Sequence, residues 1–462
     1  MVYKYSFVYL YQNIQTAKMD RAKMRDLLAW KNSSERKPLI IRGARQTGKT
    51  WLIKEFGRRY YAKTVYLNFE KNKRLAGLFT DDFDISRVII ALQAESGLII
   101  TPDDTLLLFD EIQAVPEAIT ALKYFHEDGP EYHVIAAGSL LGIAIHEGIS
   151  FPVGKVAFMD LHPMTFPEFL VAAGDSALAG ILHSHDWKLI SAFKSKYIER
   201  LRQYYFVGGM PEPVAQFVGD KDYEKVRELQ KQILDTYELD FSIHAPAEIV
   251  PRIRMLWHSI PSQLARENRK FIYGAVREGS RAKDYELAML WLTDCRQVYK
   301  VSRITKPAMP LSAYEEMNTF KLFIVDTGLL AAMGDLDVRT LLEGNSVFSE
   351  FKGALTEQYV HQQLVSSEAY SILYWSAERA QAEIDFLLQY KNIIAPMEVK
   401  AEENLHSKSL RSYRDRFNPP VSLRTSMSDY RREEWLVNIP LYALSEACSI
   451  LDGYVNRNFN NL

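Results

Sequence analysis

The chain has 462 residues, 47% of them hydrophobic and 25% charged. That is ordinary globular composition, with room for two to four domains at about 150 residues each, and it excludes a disordered, collagenous or disulfide-scaffold protein for most of the length. Lys and Arg number 56 against 58 Asp and Glu, a net charge of −2; the chain as a whole is no polyanion binder, while a local basic patch stays open.

Two cysteines, Cys295 and Cys448, cannot build a disulfide framework, and the expectation is a reduced, cytoplasmic protein. No membrane span is expected. The longest apolar run, Val134 to Ile145, is broken by Gly138, Ser139 and Gly142 and falls far short of about 20 residues. The first residues, MVYKYSFVYLYQ, lack a convincing cleavage site. Residues 1–18 read as an N-terminal extension, either a start-site addition or a loose arm.

Pro38-Leu39-Ile40-Ile41 reads as a short buried parallel strand. It runs into Gly43-Ala44-Arg45-Gln46-Thr47-Gly48-Lys49-Thr50, which meets G-x-x-x-x-G-K-[ST] at every fixed position. The spacing has a chemical reason. The glycines let the backbone curl until successive N–H groups face a phosphate. Lys49 reaches the β- and γ-phosphates, and the Thr50 hydroxyl is placed to ligate Mg²⁺. Residues Gly43 to Thr50 and Trp51 are therefore the expected nucleotide-binding set, with a helix starting at Trp51. Val65 to Phe69 reads as another strand. Thr105-Leu106-Leu107-Leu108-Phe109 is a wholly apolar strand ending in Asp110-Glu111, the Walker B pattern. There Asp110 would hold the Mg²⁺ shell and Glu111 would orient and deprotonate water. A core strand with a capping Asp would look the same in isolation. His133 to Gly138 is a third strand, ending before Ser139. Strands alternating with helices predict a parallel sheet covered by helices on both faces.

GARQTGKT, LLLFDEIQ, AAGSLLG and LHPMTFPEFL together resemble the AAA-type ATPases of bacteria and archaea that carry a C-terminal domain of unknown function. GGMPEPV at 208–214, FKLFIVDTGLL at 320–330, FKGALTEQYV at 351–360 and AEIDFLL at 382–388 fit the same family, so the resemblance runs from about residue 20 to the end. It implies an AAA-type ATPase domain over 19–170, ATP and Mg²⁺ as cofactors, and Ser139 as the polar residue that senses the γ-phosphate, although a turn serine would read alike. It also implies a homo-oligomer, in which an arginine finger comes from a neighbour. After Gly154, where many relatives carry arginine, this chain has Lys155, a point charge that cannot make the planar bidentate contact.

Residues 171–250 read as a helical lid, with Val226, Leu229, Ile233, Tyr237 and Leu239 as a helical stripe. Between 251 and 310 there are 12 Lys and Arg against 5 Asp and Glu, a local net of +7. Helices at Ile260–Glu267 and Tyr285–Leu292, then strands at Tyr299–Ile304 and Phe320–Val325, suggest a winged-helix-like domain over 251–345. Arg277, Arg281, Lys283 and Lys306 would meet phosphates of DNA or RNA; a solvated basic face, or one docked on protein, reads equally well.

Over 346–462 a helix carries Glu357, a strand carries Asp385, and a second strand carries Glu398 and Lys400 on one face. A hairpin turn at Gln389–Asn392 could bring Asp385 onto that face. This D…E-x-K pattern resembles the PD-(D/E)xK nuclease fold. The resemblance implies Asp385, Glu398 and Glu357 as ligands of Mg²⁺ or Mn²⁺, with Lys400 positioning the water. Ser407-Lys408-Ser409-Leu410-Arg411 would open a helix adding cations beside that site. Two function classes follow: an ATP-driven protein whose nuclease-like domain cuts or binds nucleic acid, and a nucleotide-dependent switch that binds a protein partner through a catalytically inactive domain.

Overall fold

The computed structural model describes residues 20–71, 73–79, 83–139, 142, 151–265, 270–340, 342, 349–377, 382–403 and 406–459. The extension read at residues 1–18 lies outside these. Two compact units emerge: Asp20–His162 with Trp291–Gln297, and Pro163–Leu290 with the chain from Val298 onward.

The first unit is built on a five-stranded parallel sheet. Its strands are β1 (Leu39–Arg42), β2 (Lys63–Asn68), β3 (Thr105–Asp110), β4 (His133–Gly138) and β5 (Ala157–Asp160), in the order β2-β3-β4-β1-β5. β3 and β4 are buried at every position, which is why they read as unbroken apolar runs and not as alternating ones. The alternation appears in where the side chains go. Leu39, Ile41, Leu106 and Leu108 face the helices Lys23–Lys31 and Lys49–Tyr60, meeting Leu27, Leu52, Ile53 and Phe56. Ile40, Leu107, Phe109 and Val134 face the other way, onto Ile85–Ser96 and Pro116–Glu127. Truncating one of these fully buried residues to Ala costs roughly 2–5 kcal/mol. β1 lies between β4 and β5, so the loop leaving its carboxyl end stands where open parallel sheets take their ligands.

The second unit starts with helices Phe166–Ala172, Ser176–Ser184, Trp187–Ala192, Lys194–Val207, Pro211–Asp220, Tyr223–His244 and Val250–Leu264. Helix Tyr223–His244 buries Val226, Ile233 and Tyr237 of the expected stripe and leaves Leu239 exposed. Ala282–Asp294 is also helical. An eight-stranded sheet follows: β6 (Val298–Ile304), β7 (Glu315–Ile324), β8 (Ser371–Ser376), β9 (Glu383–Tyr390), β10 (Ile393–Val399), β11 (Ser422–Ser426), β12 (Arg431–Arg432) and β13 (Leu436–Pro440). Their order is β12-β13-β11-β10-β9-β8-β6-β7.

The hairpin expected as a wing does form, β6 antiparallel to β7. It does not stand apart. β6 also pairs in parallel with β8 at Arg303 and Ile304, so both strands extend the C-terminal sheet across the boundary expected near residue 345. Buried Val298, Phe320, Leu322 and Ile324 share one face of the hairpin by its register, and a free wing would leave such a face in water.

The family-like stretches at 208–214 and 320–330 are explained by one buried joint in this unit. Asp326 is fully buried and caps helix Thr327–Met333 by accepting from the Leu329 N–H at 3.1 Å. Its other oxygen accepts from the Gly209 N–H at 2.6 Å and from Gln362 Nε2 at 3.0 Å. Gly208 sits at φ +75°, and a Cβ there would lie 2.1 Å from the Asp326 carboxylate. Only glycine serves at that spot.

Candidate functional site

The loop between β1 and helix Lys49–Tyr60 curls as its glycines permit. Gly48 adopts φ +92°, and a Cβ on Gly43 would lie 2.3 Å from the Leu161 carbonyl oxygen. The Thr47 hydroxyl donates to the Ala44 carbonyl at 2.9 Å. Lys49 is buried and donates to the carbonyls of Gly43 and Ala44 at 2.9 and 2.8 Å. Burial pulls its ammonium down to about 8; the nearby Glu111 and Asp110 carboxylates oppose that shift only in part, and Arg45 adds to it.

The Thr50 hydroxyl donates to Asp110 Oδ2 at 2.9 Å. The loop and the end of β3 thus meet, and the residues expected to hold Mg²⁺ are adjacent. This donor set fits a hard divalent ion: one hydroxyl and one carboxylate oxygen, with nucleotide phosphates left to complete the shell. Asp110 also accepts from the Tyr66 hydroxyl at 2.7 Å. Glu111 follows at φ +52°, an uncommon backbone for a non-glycine residue. Its carboxylate accepts from Gln113 Nε2 at 2.7 Å and from the Ser139 hydroxyl at 3.4 Å. Glu111 and Ser139, read separately from two strand ends, therefore share a hydrogen bond. Gln46 is exposed at φ +65°, and Trp51 packs half-buried against the core on the β1 side.

Three contributors were invisible in the motif. Tyr66 reaches Asp110 because β2 neighbours β3 in the sheet. Gln113 lies just two residues beyond Glu111, and the short 3₁₀ turn Ile112–Ala114 folds it back. Arg21 is buried and donates to the carbonyls of Thr47 and His162 at 3.1 and 2.6 Å, bracing the loop from beneath. No sequence spacing announces the last. Lys155, raised by the arginine-finger comparison, lies 2.9 Å from Glu127.

In the second unit, the expected C-terminal residues do converge. The Val399 N–H donates to Asp385 Oδ2 at 2.8 Å across β9 and β10. Lys400 Nζ lies 2.7 Å from Glu398, whose carboxyl burial pushes up, with Lys400 pulling it back and Asp385 adding to the rise. Glu357, on helix Ser349–Ser367, lies near Asp385 through a residue absent from the D…E-x-K reading. Lys321 of β7, with no exposed side chain, places its ammonium 2.6 Å from Glu383, 3.6 Å from Glu357 and 3.7 Å from Asp385. Among the described residues, no three His, Cys, Asp or Glu side chains are arranged to hold a metal ion. Of the expected donor set, Glu357 and Asp385 both lie within 4 Å of the Lys321 ammonium, and Glu398 is paired with Lys400.

The exposed cations are spread over the second unit. Arg277, Arg281, Lys283 and Lys306 are all exposed. Lys408, Arg411 and Arg416 line a shallow depression with Ser412 and Asp415 on helix Lys408–Phe417. Among the described residues, no helix is long and apolar enough to cross a membrane.

Residues 35–170 match the family model described as an AAA domain. Residues 198–340 and 352–444 match two models, each described as a domain of unknown function. No curated protein matches the chain. Among solved structures, the Walker-type ATPase PABY2304 of Pyrococcus abyssi is 14% identical, with a TM-score of 0.45 over 68% of this chain and 96% of that one. The Aeropyrum pernix Orc1 protein, solved in complex with DNA, is 13% identical, with a TM-score of 0.27 over 68% of this chain and 92% of that one. Likenesses this loose carry no functional argument. The family match and the P-loop make the first unit an AAA-type P-loop ATPase domain, and such a domain binds ATP with Mg²⁺.

Proposed function

We propose that the chain hydrolyses ATP and uses the nucleotide state to control what its second unit binds. The carrying observation is the Thr50–Asp110 hydrogen bond beside buried Lys49, with Glu111 next in the chain. In this reading Lys49 neutralises the β- and γ-phosphates, Thr50 and Asp110 hold the Mg²⁺ shell, and Gly43 to Trp51 form the phosphate cradle. Glu111 positions and deprotonates the attacking water, while Ser139 ties it to the γ-phosphate. Before catalysis, Gln113 and Ser139 hold Glu111 aside. A neighbour-directed role for Lys155 within a homo-oligomer would first have to break its pair with Glu127.

The test uses two variants. Lys49→Ala loses ATP binding, and Glu111→Gln binds ATP with little change but loses turnover by at least about 100-fold, the usual scale for a missing general base. A Lys49→Ala protein that binds ATP normally refutes the phosphate role, and unchanged turnover in Glu111→Gln removes Glu111 from the chemistry.

For the second unit, the reading is a nuclease-like domain over 346–462, its sheet extended by the β6–β7 hairpin, that binds DNA or RNA and is joined to a helical lid over 171–250. Its support is the set of exposed cations: Arg277, Arg281, Lys283, Lys306, Lys408, Arg411 and Arg416. The other reading, a switch for a protein partner with a catalytically inactive domain, is favoured by Lys321 among the carboxylates. In this proposal Asp385, Glu398 and Lys400 serve the domain's internal electrostatics.

A further inference from the structure

Carboxylates of β9 and of helix Ser349–Ser367 gather round one ammonium. Glu357, Glu383 and Asp385 all lie within 4 Å of one ammonium, that of Lys321. The Lys321 side chain has no solvent exposure, and its ammonium lies 5.2 Å from the ring centroid of Tyr374 on β8. A buried ammonium is costly unless countercharges surround it, and carboxylates gathered in low dielectric are costly unless a cation lies among them. The lysine has three carboxylates around it, and they have one ammonium among them, which offsets one of their three charges. Beside it, Lys400 serves Glu398 in the same way at 2.7 Å.

A divalent ion would need something different. Mg²⁺ takes oxygen ligands at about 2.0–2.1 Å in near-octahedral geometry. Here the nearest carboxylate oxygens lie 2.6–3.7 Å from the Lys321 nitrogen, and an incoming ion would carry two positive charges to within a few ångströms of a buried lysine.

We propose that the Lys321 ammonium is the resident cation of this cluster, standing among Glu357, Glu383 and Asp385 where the D…E-x-K pattern would place a divalent metal, and that the cluster therefore takes up neither Mg²⁺ nor Mn²⁺. The site is an internal ion cluster binding β7, β9 and helix Ser349–Ser367 together. The inference rests on this geometry alone, and its failure would leave the ATPase reading untouched.

The experiment counts Mn²⁺ bound by the full-length, nucleotide-free protein, from the electron paramagnetic resonance signal of free Mn²⁺. Wild type, Asp385→Asn, Lys321→Met and the double variant are compared. Any Mn²⁺ held elsewhere on the chain is common to all four and cancels. Wild type and Asp385→Asn are expected to bind the same number of equivalents. Lys321→Met is expected to gain one equivalent, and the double variant to lose it again. A wild-type equivalent that disappears in Asp385→Asn overturns the proposal. So does a folded Lys321→Met that gains none, since removing the lysine would then open no place for a metal. Should Lys321→Met fail to fold, the wild-type against Asp385→Asn comparison decides alone.

Discussion

Lys49 offers a test of the nucleotide site that depends on its environment and not just its presence. Burial lowers its ammonium to about 8 in the nucleotide-free protein, while ATP phosphates require the charged form. At pH 7 the group is about nine-tenths protonated, and at pH 9 about one-tenth, as follows from a value near 8. If bound phosphates restore an ordinary lysine value of about 10.4, affinity for MgATP falls about tenfold between pH 7 and pH 9, or about 1.4 kcal/mol. Binding at pH 8.5 then takes up about three-quarters of a proton. The phosphates of ATP are already ionised in this range, with their last ionisation near pH 6. Titration calorimetry in buffers of different ionisation heat, from pH 7 to 9.5, measures both quantities. Lys49→Arg, whose guanidinium stays charged throughout, should bind with a flat profile. Stability shifts in the opposite sense. Unfolded chains hold a proton on this lysine up to about pH 10.4 and the folded protein releases it from about 8, so rising pH across that window favours the nucleotide-free fold. Proton-neutral binding with pH-independent affinity would refute the buried, desolvated Lys49 on which the reasoning rests.

Two further expectations test the second unit. Gly208→Ala puts a Cβ 2.1 Å from the Asp326 carboxylate; the backbone there (φ +75°, ψ −163°), in a region essentially reserved for glycine, alone costs about 1–3 kcal/mol, and the clash adds more. Thermal unfolding should start several degrees lower, and an unchanged transition would mean the Asp326 joint carries no stability. Reversing Lys408 and Arg411 together to Glu removes two exposed cations from one helix. If that face meets phosphates, the slope of log affinity for duplex DNA or RNA against log salt should flatten by about two. An unchanged slope would move nucleic-acid contact elsewhere or favour the protein-partner reading.

The ATPase half was legible because its chemistry is local in sequence. Eight consecutive residues make the phosphate loop, and β3 ends in its two carboxylates. Parallel strands buried on both faces announce themselves as apolar runs. Tyr66 and Arg21 escaped for the opposite reason. Tyr66 meets Asp110 only because β2 pairs with β3, and Arg21 meets Thr47 and His162 from residues 26 and 141 positions away. Nothing in the spacing of an arginine ahead of the first helix distinguishes a brace from a surface charge.

The second unit shows how a correct local reading can conceal a wrong neighbourhood. Strand 298–304 falls where it was expected, strand 315–324 overlaps the expected 320–325 but starts five residues earlier, and the two form a hairpin. A hairpin after helices suggests a wing, because sequence reports the pairing of adjacent strands and is silent on the outer edge of the pair. That edge is decided by β6 meeting β8, some seventy residues later. The consequence reaches the carboxylate cluster. Lys321 belongs to the hairpin by sequence and to the D…E-x-K residues by space, so assigning the hairpin to a separate domain removes a cation that pairs with Glu357, Glu383 and Asp385. Seen without Lys321, the same carboxylates call for a metal. With it, one of their three charges is offset and an ammonium stands inside the group, so the D…E-x-K pattern takes part in the fold's internal electrostatics. The chemistry that sequence assigned to this domain depended on a partner that only strand order could supply.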